Sequence, residues 1–124
     1  MRALAIDTSS AAVTAGVVDC SELRVLAERV TVNARAHGEL LAPSIRDCLA
    51  EAGLELAALD AVIAGAGPGP FTGLRVGLVT AAAISDALEL PAYPVCSLDA
   101  IAAMHPDRGA LLVAGDARRK EIYW

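Results

Sequence analysis

The chain is poor in aromatic and basic residues. It has one phenylalanine, two tyrosines and one tryptophan in 124 residues, too few to form a platform on which RNA bases stack. Ten lysine and arginine residues against fifteen aspartate and glutamate residues give a net charge of −5. Because proteins that bind nucleic acid by themselves usually present a basic surface, this balance argues against autonomous RNA or DNA binding.

Paired cysteines and long apolar segments are absent as well. Cys20, Cys48 and Cys96 are odd in number and widely separated, so we expect reduced, buried thiols. Charges, glycines and prolines interrupt every apolar run before it reaches membrane-spanning length. Asp7 interrupts the N-terminal apolar stretch after four residues, so we expect no signal peptide. The expectation is a soluble, cytoplasmic protein without a membrane contact.

A loop rich in glycine and proline lies near the middle of the chain, at residues 65–77, GAGPGPFTGLRVG. It follows a short apolar run at 61–64, and helical spacing after it predicts a helix from about Thr72 to Leu88, with Thr72 as N-cap. Such a loop brings backbone amides to a helix N-terminus, which favours an anion. The common phosphate motifs do not match, because neither the Gly-Lys-Ser/Thr ending nor the third glycine of the dinucleotide fingerprint is present.

Two features of the helix after this loop indicate close neighbours: a face of small residues and a charged residue in the first turn. Gly73, Gly77 and Ala81 are spaced by four and form a track of small residues on one face, which lets another backbone approach, from the same chain or from a partner. Arg75 lies in the first turn, where a cation opposes the helix dipole. We therefore expect Arg75 to pair with a carboxylate or an anion.

The remaining patterns predict an α/β fold. Strands are predicted at 2–6, 12–18, 23–32, 61–64, 91–96, 110–114 and 121–124, and helices start near Pro43 (ending at Gly53) and run over 98–104 with Ser97 as cap. An antiparallel meander followed by parallel strand–helix crossovers is a mixed sheet with helices packed on it. This order matches one ribonuclease H-like lobe of the actin, sugar-kinase and Hsp70-type ATPases. Residues 1–105 are predicted to form that lobe, and 106–124 the start of a second, truncated lobe.

The loop carries a family resemblance. Residues 67–77 closely resemble the signature of the bacterial TsaB family, with Pro70 where the family usually has serine. The matching residues are Gly67, Pro68, Gly69, Phe71, Thr72, Gly73, Arg75 and Gly77. Segments 4–10, 35–45, 96–102 and 116–124 are similar to other family segments, in order along the whole chain, and Gly38 replaces a usual serine. The family is normally longer, so the chain resembles its N-terminal half and the beginning of the second.

The resemblance implies a function in tRNA modification. Members of the family are regarded as non-catalytic subunits that support a TsaD-type catalytic subunit, which forms N6-threonylcarbamoyladenosine at position 37 of tRNAs reading codons that start with A. A small TsaE-type ATPase joins the assembly. The subunit alone is expected to form a homodimer, and it is expected to contact tRNA only as part of the complex. No cofactor and no metal are expected in the subunit itself.

The resemblance also implies that the two N-terminal helices, at about 37–52 and 72–88, form the partner interface. The residues expected there are His37, Leu40, Leu41, Ser44, Leu74, Gly77, Leu78 and Ala81.

The alternative is an ATP-dependent phosphotransferase or ATPase of the same fold, with Asp7 on a metal and the glycine loop on phosphate. A single carboxylate after a strand more often caps the following turn. His37 has no histidine four residues away, since Asn33 and Leu41 stand there, so it is expected to form a hydrogen bond or a cap rather than to ligate a metal. No base accompanies the serines at positions 9, 10, 44 and 97, which argues against a hydrolase. Residues 118–120, Arg-Arg-Lys, are expected at a solvated hairpin tip or in contact with an acidic partner.

Overall fold

A five-stranded mixed sheet forms the centre of the molecule in the computed structural model, which describes residues 1–106 and 109–124. The strands are β1 (Arg2–Asp7), β2 (Ala12–Asp19), β3 (Arg24–Val32), β4 (Ala61–Gly65) and β5 (Ala92–Val95), in the spatial order β3-β2-β1-β4-β5. β1, β2 and β3 pair antiparallel, whereas β4 pairs parallel to both β1 and β5. The predicted meander followed by parallel crossovers is confirmed, with β3 and β5 at the edges as expected.

The helices are α1 (His37–Ala52), α2 (Phe71–Leu88) and α3 (Ser97–Ala103), with a 3₁₀ turn at Leu56–Ala58. Since side chains alternate across a strand, one face of the sheet collects the large apolar residues that α1 and α2 cover. Fully buried core side chains include Leu4, Val13, Val17, Leu41, Cys48 and Val62. Burial raises the pKa of the Cys48 thiol, whose sulfur donates to the Ala15 carbonyl at 3.3 Å. All three cysteines are free, but Cys20 and Cys96 are only half-buried.

The start of α1 differs from a start near Pro43 but agrees with the bounds of about 37–52 that the resemblance implies. The helix begins at His37, so Pro43 lies inside it. A proline there removes the bond to the Glu39 carbonyl and its ring crowds that carbonyl, and the burial of six side chains along this helix offsets the cost. The predicted end is confirmed, because Gly53 adopts a left-handed φ of 65° and its N–H bonds to the Ala50 carbonyl.

The start of α2 differs as well. Pro70, and not Thr72, is the N-cap residue, and no side chain caps this helix. The reason is that the Pro70 carbonyl accepts the first helical bond, from the Leu74 N–H at 3.0 Å, so the helix starts at Phe71. α2 is 18 residues long with a mean hydropathy of 1.3, which by length and composition alone would let it cross a membrane. In this fold it packs on β4 and β1 through one of its faces.

The C-terminal part was predicted correctly only in part. Residues 110–114, predicted as a strand, have no regular secondary structure, and β6 lies at Gly115–Arg118 instead. The predicted last strand is confirmed as β7 (Glu121–Tyr123), which pairs with β6 in a separate antiparallel hairpin. Apolar composition at 110–114 was not sufficient for a strand, because a strand also needs a neighbour for its backbone groups. The predicted boundary at 106–109 includes Asp107 and Arg108, which lie outside the described residues, so the two-lobe division stays a prediction.

Candidate functional site

The short loop after β1, residues 7–10, is the point where the elements of the fold meet. β1 and β4 are parallel, so their carboxyl ends lie at the same edge of the sheet and bring this loop beside the glycine-proline loop. The N-terminal ends of α1, α2 and α3 contact it through His37, Gly73 and Ser97. In an open α/β sheet ligands bind at this edge, so this loop is the candidate position for a ligand site.

Asp7 uses both carboxylate oxygens inside the chain. Its Oδ1 accepts the Ser9 N–H at 2.7 Å, which confirms the predicted turn cap. Its Oδ2 accepts the Ser97 hydroxyl at 2.6 Å, and Ser97 Oγ in turn accepts the Ser9 hydroxyl at 2.9 Å. Ser97 was predicted to cap α3, but it is the first residue of that helix, and Cys96 is the N-cap residue. The Asp7–Ser97 link joins residues 90 positions apart, and no local sequence signal predicts it.

The glycines of the loop make room for the residues after β1. A side chain at Gly69 would overlap the Ser9 carbonyl, and one at Gly65 would overlap the Asp7 carboxylate. Gly67 has a φ of 79°, where a residue with a Cβ is strained. The two loops are therefore in direct contact at these glycines, and a cavity of about 280 Å³ lies beside that contact, lined by residues of both loops, α3 and the β6–β7 hairpin.

Thr8 connects β1 to α2. Its side chain is 1% exposed, and its hydroxyl donates to the Gly73 carbonyl at 2.7 Å and accepts the Gly77 N–H at 2.9 Å. A Cβ at Gly77 would lie 2.6 Å from Thr8 Oγ1, and one at Gly73 would lie 3.0 Å from the Thr8 carbonyl oxygen. The track of small residues therefore packs against the chain's own β1 and the residue that follows it. It does not face outward toward a partner.

His37 belongs to the same cluster. Its Nε2 lies 2.8 Å from the Ser10 carbonyl oxygen, and its ring would contact a Cβ at Gly73 at 3.3 Å. The expected hydrogen-bonding role is confirmed. Within residues 1–106 and 109–124, no group of three or more histidine, cysteine, aspartate or glutamate side chains has the arrangement of a metal site.

The expected interface residues fall into two groups. Five are buried inside the chain itself: His37, Leu41, Ser44, Gly77 and Ala81. These five residues are therefore not exposed on the chain by itself, and their part in a partner interface stays a prediction. The other three, Leu40, Leu74 and Leu78, are half-buried.

The outward side of α2 carries apolar surface that sequence reasoning did not single out as an interface. Phe71 is 70% and Val79 is 60% exposed, on the side opposite the glycine track. Arg75 lies over the Phe71 ring, 5.0 Å from its centre. Among the described residues Arg75 has no carboxylate partner, so the expected ion pair is replaced by this cation–π contact. We call Phe71, Thr72, Arg75, Val76 and Val79, which line a shallow depression, the outer face of α2.

A second apolar surface lies between α1 and α2. It is a groove of about 550 Å³, lined by Ala42, Ile45, Arg46, Leu49, Ala50, Leu54, Glu55, Leu56, Thr80 and Ile84. The three cations Arg118, Arg119 and Lys120 are exposed and all have positive φ, at the turn of the β6–β7 hairpin, as the predicted hairpin tip requires. Whether they contact an acidic partner stays a prediction.

These features define a class of protein. A mixed sheet in the order β3-β2-β1-β4-β5, covered on one face by two crossover helices, is the ribonuclease H-like lobe of the actin-type and sugar-kinase-type ATPases. In this member the residues after β1 are bonded to the N-terminal ends of α2 and α3.

The comparisons with known proteins then give the family. Residues 24–124 match the family model described as "TsaD: tRNA N6-adenosine threonylcarbamoyltransferase", and the chain belongs to that family, as a TsaB-like member. It is 37% identical over 133 residues to the tRNA threonylcarbamoyladenosine biosynthesis protein TsaB of Escherichia coli K12, covering all of this chain and 54% of that protein. An uncharacterised protein of Mycobacterium tuberculosis is 58% identical over 121 residues, covering 98% of this chain and 56% of that protein.

A solved structure agrees with the fold. YeaZ from Pseudomonas aeruginosa superposes with a TM-score of 0.88 at 37% identity, covering 99% of this chain and 58% of that one. The chain therefore spans a little over half the length of the relatives that it matches.

Proposed function

We propose that this chain is a non-catalytic accessory subunit in the biosynthesis of threonylcarbamoyladenosine in tRNA, acting by binding a TsaD-type catalytic subunit. The observation that carries the proposal is a contrast between two sides of α2. The inner side packs against β1 and the residues after it, whereas the outer face exposes Phe71 and Val79 to a partner.

The contacts around Asp7 support a non-catalytic role. Both oxygens of Asp7 accept hydrogen bonds within the chain, from the Ser9 N–H and the Ser97 hydroxyl, which gives this carboxylate a structural part in joining β1 to α3. Gly65 and Gly69 pack directly on Asp7 and on the Ser9 carbonyl, which explains these glycines without a bound phosphate. The family resemblance to TsaB-named proteins is consistent with this role.

The exposed surface supports partner binding. Neighbouring apolar side chains exposed on one helix face form a surface suited to a partner, and aromatic and arginine residues are enriched at the energetic centres of interfaces. Phe71 and Arg75 are such a pair, held one helical turn apart. We place the contact on this outer face, with Leu74 and Leu78 beside it and the groove between α1 and α2 as its continuation. The TsaE-type ATPase, the homodimer, indirect contact with tRNA and a cytoplasmic location belong to the same proposal.

The test is co-purification of this chain with the TsaD-type catalytic subunit of the same organism, followed by titration calorimetry of the two proteins. We expect Val79→Glu to weaken binding by at least about tenfold, because it places a charge in an apolar contact. Val25→Glu is the matched control: Val25 lies on edge strand β3 and is 59% exposed, against 60% for Val79. It should bind like the unchanged chain.

Two results would count against the proposal. One is the absence of binding by the unchanged chain. The other is tight uptake of magnesium nucleotide by the chain alone with turnover that Asp7→Ala abolishes, which is the outcome required by the ATPase alternative.

A further inference from the structure

We infer that Thr8 is a positioning residue for partner binding: its hydroxyl sets where the first two turns of α2 stand relative to the sheet, and thereby where the outer face of α2 is presented. The inference rests on the proposed function and adds to it a residue that lies on the opposite side of the helix from the partner.

The first step is the geometry of the hydroxyl. In a regular α-helix the Gly77 N–H and the Gly73 carbonyl bond to each other, since they are four residues apart. Thr8 Oγ1 contacts both groups, at 2.9 Å and 2.7 Å, from a strand that is remote in sequence. The hydroxyl bridges both groups from the side of β1, while the helix continues without a break from Phe71 to Leu88. The contact therefore fixes the helix sideways and not only along its axis.

The second step is that stability does not require this hydroxyl. If it is removed, the two glycine groups can bond to each other as in any helix, so no buried polar group is left without a partner. A carbon atom of valine needs a longer separation from the Gly77 nitrogen than the 2.9 Å of the present hydrogen bond. The turn would therefore settle farther from β1, in a position that no directional bond defines.

The third step connects this position to the outer face. Residues 73 and 77 on the inner side flank Arg75 and Val76 on the outer side, and Phe71 and Val79 lie within one turn of them. A helix moves as a unit over so short a span, so a shift at Gly77 displaces these side chains by a similar amount. Because interface cores are packed as tightly as protein interiors, a displacement of that kind weakens binding through faster dissociation.

The experiment compares Thr8→Val, which keeps the shape but loses the hydroxyl, with Thr8→Ser, which keeps it. Affinity for the TsaD-type catalytic subunit is measured by surface plasmon resonance, at a temperature where circular dichroism shows every variant fully folded. We expect Thr8→Val to bind about tenfold more weakly, mostly in the dissociation rate, and Thr8→Ser to stay within about threefold of the unchanged chain.

A matched control separates positioning from loss of stability. Val17→Ala removes a fully buried side chain from β2, away from the Thr8 contact, and should lower the melting temperature without changing affinity. If Thr8→Val fails to fold, Thr8→Cys replaces it, since a thiol is a weaker donor and acceptor; affinity should then fall in the order threonine, serine, cysteine.

The inference is overturned if Thr8→Val binds as tightly as the unchanged chain, or if Val17→Ala weakens binding as much as Thr8→Val does. If Thr8→Cys is used in place of Thr8→Val, equal affinities of Thr8→Cys and the unchanged chain also overturn the inference. These failures leave the accessory-subunit proposal standing. Absence of binding by the unchanged chain is a different result, because it removes that proposal and this inference together.

Discussion

At the scale of single residues, the glycines of the signature loop are explained by what lies next to them. Gly65, Gly69, Gly73 and Gly77 each stand where a side chain would meet Asp7, Thr8 or Ser9. Glycine at these positions is a packing requirement of the chain's own core. The glycines are therefore explained without a bound phosphate, although loops of the same composition bind phosphate in other folds.

Gly77 gives a direct test of this explanation. We expect Gly77→Ala to lower the free energy of unfolding by about 1–3 kcal/mol, since the added Cβ would lie 2.6 Å from Thr8 Oγ1. Urea denaturation measures the change.

Gly38→Ala is the control for that measurement. Gly38 lies in the first turn of α1, and nothing is within 4 Å of its added Cβ. Alanine there should raise the free energy of unfolding by up to about 1 kcal/mol, because it is the better helix former. Equal effects of the two substitutions would contradict the packing explanation.

At the scale of elements, the turn between β2 and β3 depends on one carboxylate. Asp19 Oδ1 accepts the N–H groups of Glu22, at 3.2 Å, and Ser21, at 2.9 Å, and these bonds, that of Glu22 most, lower the pKa of Asp19 below its ordinary value of 3.8. A lowered folded-state pKa means that the stabilisation is present above the ordinary pKa and is lost as the pH falls through the folded value.

Asp19→Asn tests this at the same position. The variant keeps an amide oxygen as acceptor but loses the charge, so it should be less stable than the unchanged chain at pH 7. The gap should narrow as the pH falls below 3.8. Urea midpoints at pH 7, 5 and 3 measure it, and a gap that stays constant over this range would show that the charge has no part in the turn.

At the scale of the whole molecule, only one face of the sheet is covered by α1 and α2. The other face carries apolar side chains that are largely exposed on the edge strands, among them Val30 and Val32 on β3 and Tyr93 on β5. α3 covers only a small part of this face, around Gly65 and Val95. The molecule therefore has two layers, the sheet and the helices α1 and α2, and the second face of the sheet is largely open to solvent.

This open face predicts dye binding by the folded chain. We expect the chain to bind the apolar dye ANS while its near-ultraviolet dichroism shows fixed tertiary packing, which distinguishes it from a molten globule. The double variant Val30→Thr/Val32→Thr should reduce the dye fluorescence with little loss of stability, since both side chains are exposed. Unchanged fluorescence would place the dye elsewhere, with the groove between α1 and α2 as the next candidate.

The sequence by itself determined the order of the elements from β1 to α3 and the family. The apolar runs of the first strands, the helical spacing in α1 and α2 and the stop at Gly53 depend on neighbours within a few residues. The signature from Gly67 to Gly77 was likewise sufficient for a resemblance that the comparisons support.

Only the tertiary structure decided what the signature residues do. Spacing by four places Gly73, Gly77 and Ala81 on one face, but it does not say whether that face meets a partner or the chain's own β1. The bonds from Thr8 to α2 and from Asp7 to Ser97 join residues more than 60 positions apart. Contacts over such distances arise when the sheet brings its strand ends to one edge, and no local pattern in the chain encodes them.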